Sequence, residues 1–406
     1  MPRPLQGIKV LEIANFIAGP YCGAMLADMG ADVIKIESPN GDMTRPMPPQ
    51  INGESVSFVV VNRNKRSIVL DLKTAEAREI VLRMAAASDV LIENNRPGSM
   101  EKLGLGPEDL KKVNPKLVYI SVSGFGQSGP YRRRAGVNLI AEAASGTLSV
   151  QGDPDDLPMR PGIETADMFG ALFAAYGAVC GLLGAHRFGE GNTADIALVE
   201  ASIAAAPWQT SGFLATGEVP RRLGHRHRQN APYQVFRTGD GRHVALGTPN
   251  HELFIRLMKA LGLDHYLDDP RFASYVKRKE NEEAIVAIVS EALQGWTADA
   301  IEARLMEEGV PCSKVNNFDE VFRDPHIVER GVVVEIEHPK LGTVKAVRNP
   351  VNLAHNGPTI DRPAPLLGQH SREVLREFGY SDEEIAAFAR SGVTMIGEEP
   401  AAEAAE

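Results

Sequence analysis

One carboxylate lies at the edge of a long apolar run, where it could do chemistry. The stretch RPGIETADMFGALFAAYGAV, residues 160–179, contains Asp167, and large apolar residues recur after it at helical spacing. The pattern predicts an amphipathic or buried helix. An aspartate at a helix start commonly accepts hydrogen bonds from free backbone N–H groups, which would make Asp167 a cap. A carboxylate can also act as a covalent nucleophile, and this stretch alone leaves both roles open.

Basic side chains that could bind an anion are predicted at strand ends and in loops. They are Arg45, Arg63, Lys65, Arg66 and the run Arg132-Arg133-Arg134. Arginine forks suit phosphate or carboxylate groups, and a solvated basic surface is the alternative. The loop SGFGQSGP at 123–130 is either a flexible turn or a source of backbone N–H groups for an anion.

Other chemistries find little support in the sequence. The run HRHR at 225–228 has two histidines one residue apart without acidic or cysteine companions, which argues against a metal site. No G-x-S-x-G nucleophile and no P-loop occur. A carboxylate is therefore the nucleophile that the sequence supports.

Length and composition limit the class of protein. The chain has 406 residues, more than one typical core needs, so two domains are predicted. A net charge of −10 argues against non-specific binding to nucleic acid or membranes. Three widely spaced cysteines fit a reducing compartment, and we predict a cytoplasmic protein. The N-terminus shows no secretion signal, and the apolar stretch 168–185 is predicted as a soluble core helix rather than a membrane span.

The elements that must position these residues alternate between strand and helix. Five short β-rich runs, with helical patterns between them, are predicted as strands at 8–13, 31–37, 66–72, 89–94 and 116–126. Such repetition implies a parallel sheet with right-handed crossovers, which is a Rossmann-like α/β domain. Ligands of such sheets bind at the carboxyl ends of the strands, where the polar loops of this sequence fall.

A smaller α+β domain is predicted further along the chain. A hairpin is indicated at 233–247, then two helices at 251–263 and 281–296 and a strand-like return at 309–317. Another hairpin at 331–347 and helices at 371–379 and 382–392 follow. The predicted boundaries are a large domain at 1–205 and 336–390, linkers at 206–225 and 316–335, a small domain at 226–315, and an acidic tail at 391–406.

Several segments together resemble the family III CoA-transferases. The opening GIKVLEIANFIAGPYCGAMLADMGADVIKIESPNGDMTR is similar to the start of that family. In order, NRNKRSIVLDLK, ADVLIENNRPGSMEKLGL, NPKLVYISVSGFGQSGPY, GIETADMFGALFAAYGAV, GVPCSKV and RPAPLLGQH also match. The resemblance spans nearly the whole chain, and the conjunction of motifs is highly specific.

The resemblance implies that Asp167 is the covalent nucleophile, because the family's aspartate lies in the segment matching TADMFGAL. It implies ping-pong transfer of CoA from an acyl-CoA to a free carboxylic acid, through a mixed anhydride and an aspartyl-CoA thioester. The helix N-terminus would hold the carboxylate ionised. CoA is then a substrate, with no tightly bound cofactor. The CoA-binding residues implied by similarity, or by the need to bind its phosphates, are Phe16, Ile17, Ala18, Arg45, Asn94, Lys102 and Arg134.

Two differences from members of the family reduce the number of reactions that the sequence fits. Formyl-CoA transferase has a glutamine at the place of Ile17 and a mobile glycine-rich loop in its smaller domain, and this sequence has neither. The α-methylacyl-CoA racemases of the same fold use a histidine where Val137 stands here, so a transferase is favoured over a racemase. A silent CoA-binding subunit is a third hypothesis. The spare arginines suggest dicarboxylates such as succinate. The resemblance also implies an interlocked homodimer, or a heteromer with a paralogue.

Overall fold

A computed structural model describes residues 2–397 of the chain. Most of the predicted acidic tail, from residue 398 on, lies outside the described residues. Contacts divide the chain into two compact units. The larger comprises the residues up to Thr147, Pro161–Gly217 and the chain from Glu329, and the smaller comprises Leu148–Arg160 and Glu218–Val328. The domain boundaries inferred from the sequence stay a prediction.

The first part of the larger unit alternates strands and helices. Its elements are β1 Lys9–Ile13, α1 Ala18–Asp28, β2 Asp32–Glu37, β3 Gln50–Ile51, β4 Glu54–Ser55, α2 Val56–Asn62, β5 Lys65–Leu70, α3 Ala75–Ala86, β6 Val90–Glu93, α4 Ser99–Lys102, α5 Pro107–Val113, β7 Val118–Ser123, α6 Asn138–Ala144, α7 Thr165–Phe188, β8 Thr193–Ala197, α8 Leu198–Ala204 and α9 Pro207–Thr216. The last of these, α9, falls in the predicted linker 206–225.

The smaller unit is α+β, as the hairpin and helical patterns predict. Its elements are β9 Tyr233–Arg237, β10 His243–Gly247, α10 His251–Ala260, α11 Tyr275–Glu280, α12 Glu282–Leu293, α13 Ala298–Glu307, β11 Cys312–Lys314, α14 Phe318–Val321 and α15 Pro325–Glu329. The strands form an antiparallel sheet in the order β11-β10-β9. Phe254, Leu257, Val289 and Ile301 are fully buried in its core.

The chain then returns to the larger unit. The elements of this return are β12 Val333–His338, β13 Gly342–Val347, α16 Ser371–Glu377, α17 Asp382–Ser391 and β14 Thr394–Met395. The strands β12 and β13 form the predicted hairpin. Thr394 and Met395 pair with Leu70 and Val69 of β5, so part of the segment predicted as a tail is a sheet strand.

The central sheet of the larger unit has seven strands in the order β14-β5-β2-β1-β6-β7-β8. All neighbours are parallel except β14, which runs antiparallel to β5. The predicted Rossmann-like sheet and its five strands are confirmed. The sequence did not indicate β8, because its TADIA segment is short, small and half-exposed rather than a β-rich apolar run.

Helix α7 lies close to its neighbours because small residues recur every four positions along it. Ala166, Gly170, Ala174 and Ala178 are all buried. A Cβ added at Gly170 would lie 2.4 Å from Leu198 Cδ2 and 3.9 Å from Ala18 Cβ. The small side chains therefore bring the first turns of α7 against the start of α1.

Candidate active site

The order of the central sheet reverses at β1, and the loops after β1 and β6 are tied together there. The side chain of Asn94 accepts a hydrogen bond from the Asn15 N–H at 2.8 Å and donates to the Asn15 carbonyl at 2.7 Å. Ligands of open parallel sheets bind beside such a reversal, at the carboxyl ends of the strands. The predicted site residue Asn94 thus holds the loop that carries Phe16, Ile17 and Ala18.

Two buried lysines hold both ends of that same loop. Lys35 Nζ donates to Glu12 Oε1 at 2.9 Å and to the Ala14 carbonyl at 2.8 Å, and it forms an ion pair with Asp42 at 2.8 Å. Lys65 Nζ donates to Asn62 at 2.8 Å and to the Pro20 carbonyl at 2.7 Å, and it forms an ion pair with Glu12 at 2.7 Å. Each buried ammonium group therefore has a carboxylate partner as well as hydrogen-bond acceptors, which is what a buried charge requires. Lys65 therefore supports the loop from inside the core.

Within the loop, Phe16 has a left-handed backbone and an exposed ring. Its φ is 63° and its relative exposure is 36%. Ile17 precedes α1, and its carbonyl accepts the Tyr21 N–H at 2.7 Å. Ala18 is buried beside Gly170 of α7. Gly170 lies three residues, about one helical turn, after Asp167. The loop therefore contacts α7 about one turn away from Asp167.

Side chains of α6 cap the N-terminus of α7. Asn138 Oδ1 accepts the N–H groups of Ala166 at 2.9 Å and Asp167 at 3.2 Å. Glu142 Oε1 accepts the Thr165 N–H at 3.2 Å and the Thr165 hydroxyl. The interpretation of Asp167 as a cap is wrong, because Glu164 is the N-cap residue and Asp167 is the third residue of the helix. Sequence reasoning missed Asn138 and Glu142, since neither belongs to a recognisable motif.

The Asp167 carboxylate is left free by this arrangement. It accepts no hydrogen bond and forms no ion pair within residues 2–397. Burial, together with the charges of Glu164 and Glu142, raises its pKa to about 6. The expected stabilisation of the charged form by the helix N-terminus is outweighed by these three effects. At pH 7 the group is still about nine-tenths ionised.

The predicted anion-binding residues fall into two groups. Arg45 donates to both oxygens of Glu37 at 2.7 Å and lies over the Phe58 ring, so its charge is balanced. The side chain of Lys102, exposed at the end of α4, forms no hydrogen bond or ion pair with any described residue. Arg134 is exposed and lies over the rings of Phe125 and Tyr131. Lys102 and Arg134 are therefore available to an anion, together with the exposed Arg132 and Arg133.

Two further basic residues are not available. Arg63 makes a two-point contact with Asp28, with N···O distances of 3.1 and 2.7 Å. Arg66 contacts three carboxylates, those of Asp32, Glu373 and Glu377. Both guanidinium groups are almost fully buried. Their charges are balanced inside the protein, and removing a partner would leave a costly unpaired buried charge.

The glycine-rich loop after β7 is held in place by its own neighbours. The Gly126 N–H donates to Ser123 Oγ at 3.1 Å, and the Gln127 N–H donates to Asp195 at 2.8 Å. Residues 124–129 have the spacing G-x-G-x-x-G of dinucleotide sites. No helix begins there, since α6 starts only at Asn138, so the loop lacks the helix N-terminus that such sites use.

No group of three or more His, Cys, Asp or Glu suited to a metal ion occurs among residues 2–397. The two histidines of HRHR have other surroundings. His227 accepts the backbone N–H groups of Gln229 and Asn230 and stacks on Tyr233. In the described chain, α7 alone is long and apolar enough to cross a membrane, a property that core helices of soluble proteins share.

A Rossmann-like sheet with an unpaired carboxylate at its ligand-binding edge defines an α/β enzyme. The model of CoA-transferase family III matches residues 5–371. The succinate–glutarate CoA-transferase of Agrobacterium fabrum is 38% identical over 92% of this chain and 95% of its own. The succinyl-CoA–D-citramalate CoA-transferase of Chloroflexus aurantiacus is 37% identical over 95% and 96%. A CaiB/BaiF family crystal structure from Brucella suis is 36% identical with a TM-score of 0.83, covering 93% of this chain and 100% of that one.

The chain belongs to CoA-transferase family III and is an enzyme that transfers coenzyme A. An acyl-CoA and a carboxylic acid are the substrates consistent with that family. The fold and activity expected from the sequence are confirmed.

Proposed function

We propose that this enzyme transfers CoA between dicarboxylic acids, with Asp167 as its covalent nucleophile. The observation that carries the proposal is the free carboxylate at the start of α7. The N–H groups around it are capped by Asn138 and Glu142, so the carboxylate is not needed for the helix. A half-buried, unpaired carboxylate such as Asp167 lowers stability, and such groups cluster where chemistry uses them.

The reaction proceeds in two matched halves. An Asp167 oxygen attacks the thioester carbonyl, the C–S bond breaks, and CoA thiolate leaves an aspartyl mixed anhydride. The thiolate then attacks the aspartyl carbonyl, which forms the enzyme–CoA thioester and releases the donor acid as its carboxylate. An acceptor carboxylate reverses both steps and leaves as the new acyl-CoA. No external proton or oxidant is needed.

The electrostatics of Asp167 suit this role. A pKa of about 6 leaves the group mostly ionised at neutral pH while making it more basic than an ordinary aspartate. Nucleophilicity rises with basicity, so the raised pKa favours attack on the thioester. The anhydride is sensitive to water, so the site must hold its reactants close and dry.

The loop beside α7 binds the thiol end of CoA in this proposal. Phe16, Ile17 and Ala18 line the pantetheine, and Asn94 fixes their loop through Asn15. Lys102 and Arg134 supply charge for the phosphates of CoA. Arg45, whose charge Glu37 balances, contributes by holding the loop after β2.

The substrates follow from the relatives. The two CoA-transferases reported above act, by their names, on succinate and glutarate and on succinyl-CoA and D-citramalate. All are dicarboxylic acids or their CoA esters. We extend the same substrate class to this enzyme, with succinyl-CoA as the expected donor.

We further propose a cytoplasmic homodimer. Large apolar side chains lie exposed along α7: Phe169, Leu172, Phe173, Tyr176, Val179 and Leu183. So large an apolar stripe on one helix is typical of a protein interface. A second copy of the chain covers the stripe in this proposal, and a paralogous chain is the alternative. Nucleic acid is not a partner, given the net charge of −10.

Intact-mass analysis tests the nucleophile directly. After exposure to succinyl-CoA, the wild-type chain should carry a covalent CoA adduct that maps to Asp167 and is discharged by glutarate. The Asp167→Asn variant should carry no adduct and show no turnover, while it still binds CoA. Turnover retained in that variant would contradict the mechanism.

A racemase of the same fold is the second candidate, and position 137 argues against it. Val137 is the N-cap residue of α6, directly before the Asn138 side chain that contacts the start of α7. Valine cannot move a proton, and a racemase needs a base on each face of the α-carbon. Incubation of 2-methylacyl-CoA in heavy water without an acceptor acid should give no deuterium at the α-carbon.

A further inference from the structure

We infer that Glu142 and Asn138 are positioning residues that keep Asp167 free and reactive, an inference that rests on the proposed function. The two side chains lie on consecutive turns of α6 and are joined by a hydrogen bond from Asn138 Nδ2 to Glu142 Oε1 at 3.0 Å. Together they accept every side-chain cap bond described at the N-terminus of α7.

The two oxygens of Glu142 have different environments. Oε1 accepts three hydrogen bonds, from Asn138 Nδ2 and from the N–H and hydroxyl of Thr165. Oε2 is buried and has no partner within the described residues. A fully buried carboxylate normally has both oxygens satisfied, so the unpartnered Oε2 is an exception that a capping role does not explain. A cap alone needs only a neutral acceptor such as the amide of Asn138.

The Glu142 carboxylate acts electrostatically on Asp167. Glu142 and Glu164 are the two charged groups, among the described residues, whose fields act on Asp167, and both disfavour its ionised form. Glu164 precedes α7 on the same element, and Glu142 faces it from α6. In the first step Asp167 loses its charge, because the carboxylate becomes an acyl anhydride and the negative charge departs on the CoA thiolate. The repulsion between Asp167 and the two glutamates is therefore relieved when the anhydride forms.

Asn138 has a separate, geometric role. Asp167 is the third residue of α7, a position from which a carboxylate can reach back to the backbone N–H of the N-cap residue. Because Asn138 Oδ1 and Glu142 Oε1 satisfy the N–H groups of the first turn, the demand on Asp167 is reduced. Removing the Asn138 amide would expose the N–H groups of Ala166 and Asp167 to the neighbouring carboxylate.

The test measures the rate of CoA-adduct formation in single turnovers as a function of pH. In the wild type the acidic limb should have its midpoint near pH 6, the pKa of Asp167. In Glu142→Gln the midpoint should move to lower pH by roughly half a unit to one unit, because a like charge is removed. The plateau rate should fall severalfold, while KM for succinyl-CoA changes less than about twofold.

Two other variants keep the test decisive if Glu142→Gln does not fold. Glu164→Gln removes a charge without removing a side-chain cap and should also lower the midpoint. Asn138→Ala leaves both glutamates in place, so it should lower the plateau rate by about tenfold with a much smaller effect on the midpoint. Glu79→Gln, on the exposed face of α3, is the matched control and should match the wild type.

The outcomes separate this inference from the proposed function. If the wild type forms no CoA adduct, the nucleophile itself is wrong. If the wild type forms the adduct but Glu142→Gln and Glu164→Gln keep its midpoint and plateau rate, the charge inference is overturned. A wild-type plateau rate in Asn138→Ala would overturn the geometric role.

Discussion

The Asn94 side chain forms hydrogen bonds with both the N–H and the carbonyl of Asn15. This pair joins the loops after β6 and β1, where the strand order reverses. The sequence placed Asn94 among the residues that bind CoA. In the structure its side-chain amide is hydrogen-bonded to the Asn15 backbone. We therefore expect Asn94 to influence CoA binding indirectly, by fixing the position of the Phe16–Ala18 loop.

Replacing Asn94 with alanine should destabilise the protein by about 1–3 kcal/mol, because two backbone groups lose their partner in a half-buried loop. KM for succinyl-CoA should rise, since the loop is no longer fixed. Urea unfolding and steady-state kinetics measure the two effects. Asn94→Asp keeps the acceptor for Asn15 N–H but places a carboxylate against the Asn15 carbonyl, and it should be impaired as well. Two variants indistinguishable from the wild type would contradict this role.

The Asp167→Asn variant should be more stable than the wild type at neutral pH. The pKa of Asp167 is about 6 in the folded protein against 3.8 for an unperturbed aspartate. A carboxyl with a raised pKa favours folding most below the unfolded value, and that contribution is lost as pH rises through 6. We expect the variant to gain about 1–3 kcal/mol at pH 8, and the difference to shrink towards pH 4.

Urea unfolding across that pH range checks the sign. Asp155→Asn, in an exposed loop, is the control and should show no such pH-dependent difference. A lower stability of Asp167→Asn at pH 8 would mean that the carboxylate supports the fold instead of straining it.

Gly23→Ala should unfold the region behind the proposed CoA loop. A Cβ at Gly23 would lie 2.0 Å from Glu12 Oε2, the oxygen that binds Lys65. Separating a buried carboxylate from its lysine costs about 3–5 kcal/mol. Thermal unfolding should show a large loss in Tm.

Gly184→Ala is the matched substitution within a helix. No atom lies within 4 Å of the Cβ position at Gly184 in α7. Alanine there should be neutral or stabilising by up to about 1 kcal/mol, because it has the higher helix propensity. If Gly23→Ala and Gly184→Ala changed Tm equally, Glu12 would be able to accommodate a methyl group at position 23, contrary to this prediction.

Phe173→Glu should convert the proposed dimer to a monomer. Phe173 lies in the middle of the apolar stripe on α7 and is 40% exposed. A buried charge without a partner at an interface is strongly unfavourable. Light scattering after size-exclusion chromatography gives the mass. Val113→Glu, at a comparably exposed apolar residue on α5, is the control. A wild-type chain that is monomeric at micromolar concentration would contradict the homodimer.

Local patterns predicted most of the sheet. The strands β1, β2, β5, β6 and β7 are almost fully buried and contain runs of Val, Ile and Leu, so each is recognisable in the sequence as a β-rich run. The edge strand β8 was not predicted, because half-exposed small residues carry no such signal. β14 was assigned to the tail, since a two-residue strand is recognised only by its partner.

The site was predictable in part. The apolar run alone leaves Asp167 open as a helix cap or a nucleophile, and the family resemblance is what points to the nucleophile. The cap interpretation failed because it assumed that the nearest carboxylate would satisfy the helix N-terminus. Asn138, 29 positions earlier, satisfies it instead. The sequence likewise could not show that Arg63 and Arg66 are occupied by carboxylates, two of them more than 300 positions away.

The sequence by itself determined the parallel sheet, the smaller α+β unit and the family. These follow from periodicity and from motifs that are contiguous in the chain. The tertiary structure alone decided which charges are balanced inside the protein and which remain for a ligand. Whether a carboxylate is paired, and hence its pKa, depends on distances between groups far apart in sequence. For Asp167 those distances decide that the group is half-buried, repelled by Glu142 and Glu164, and without a hydrogen-bond partner among the described residues.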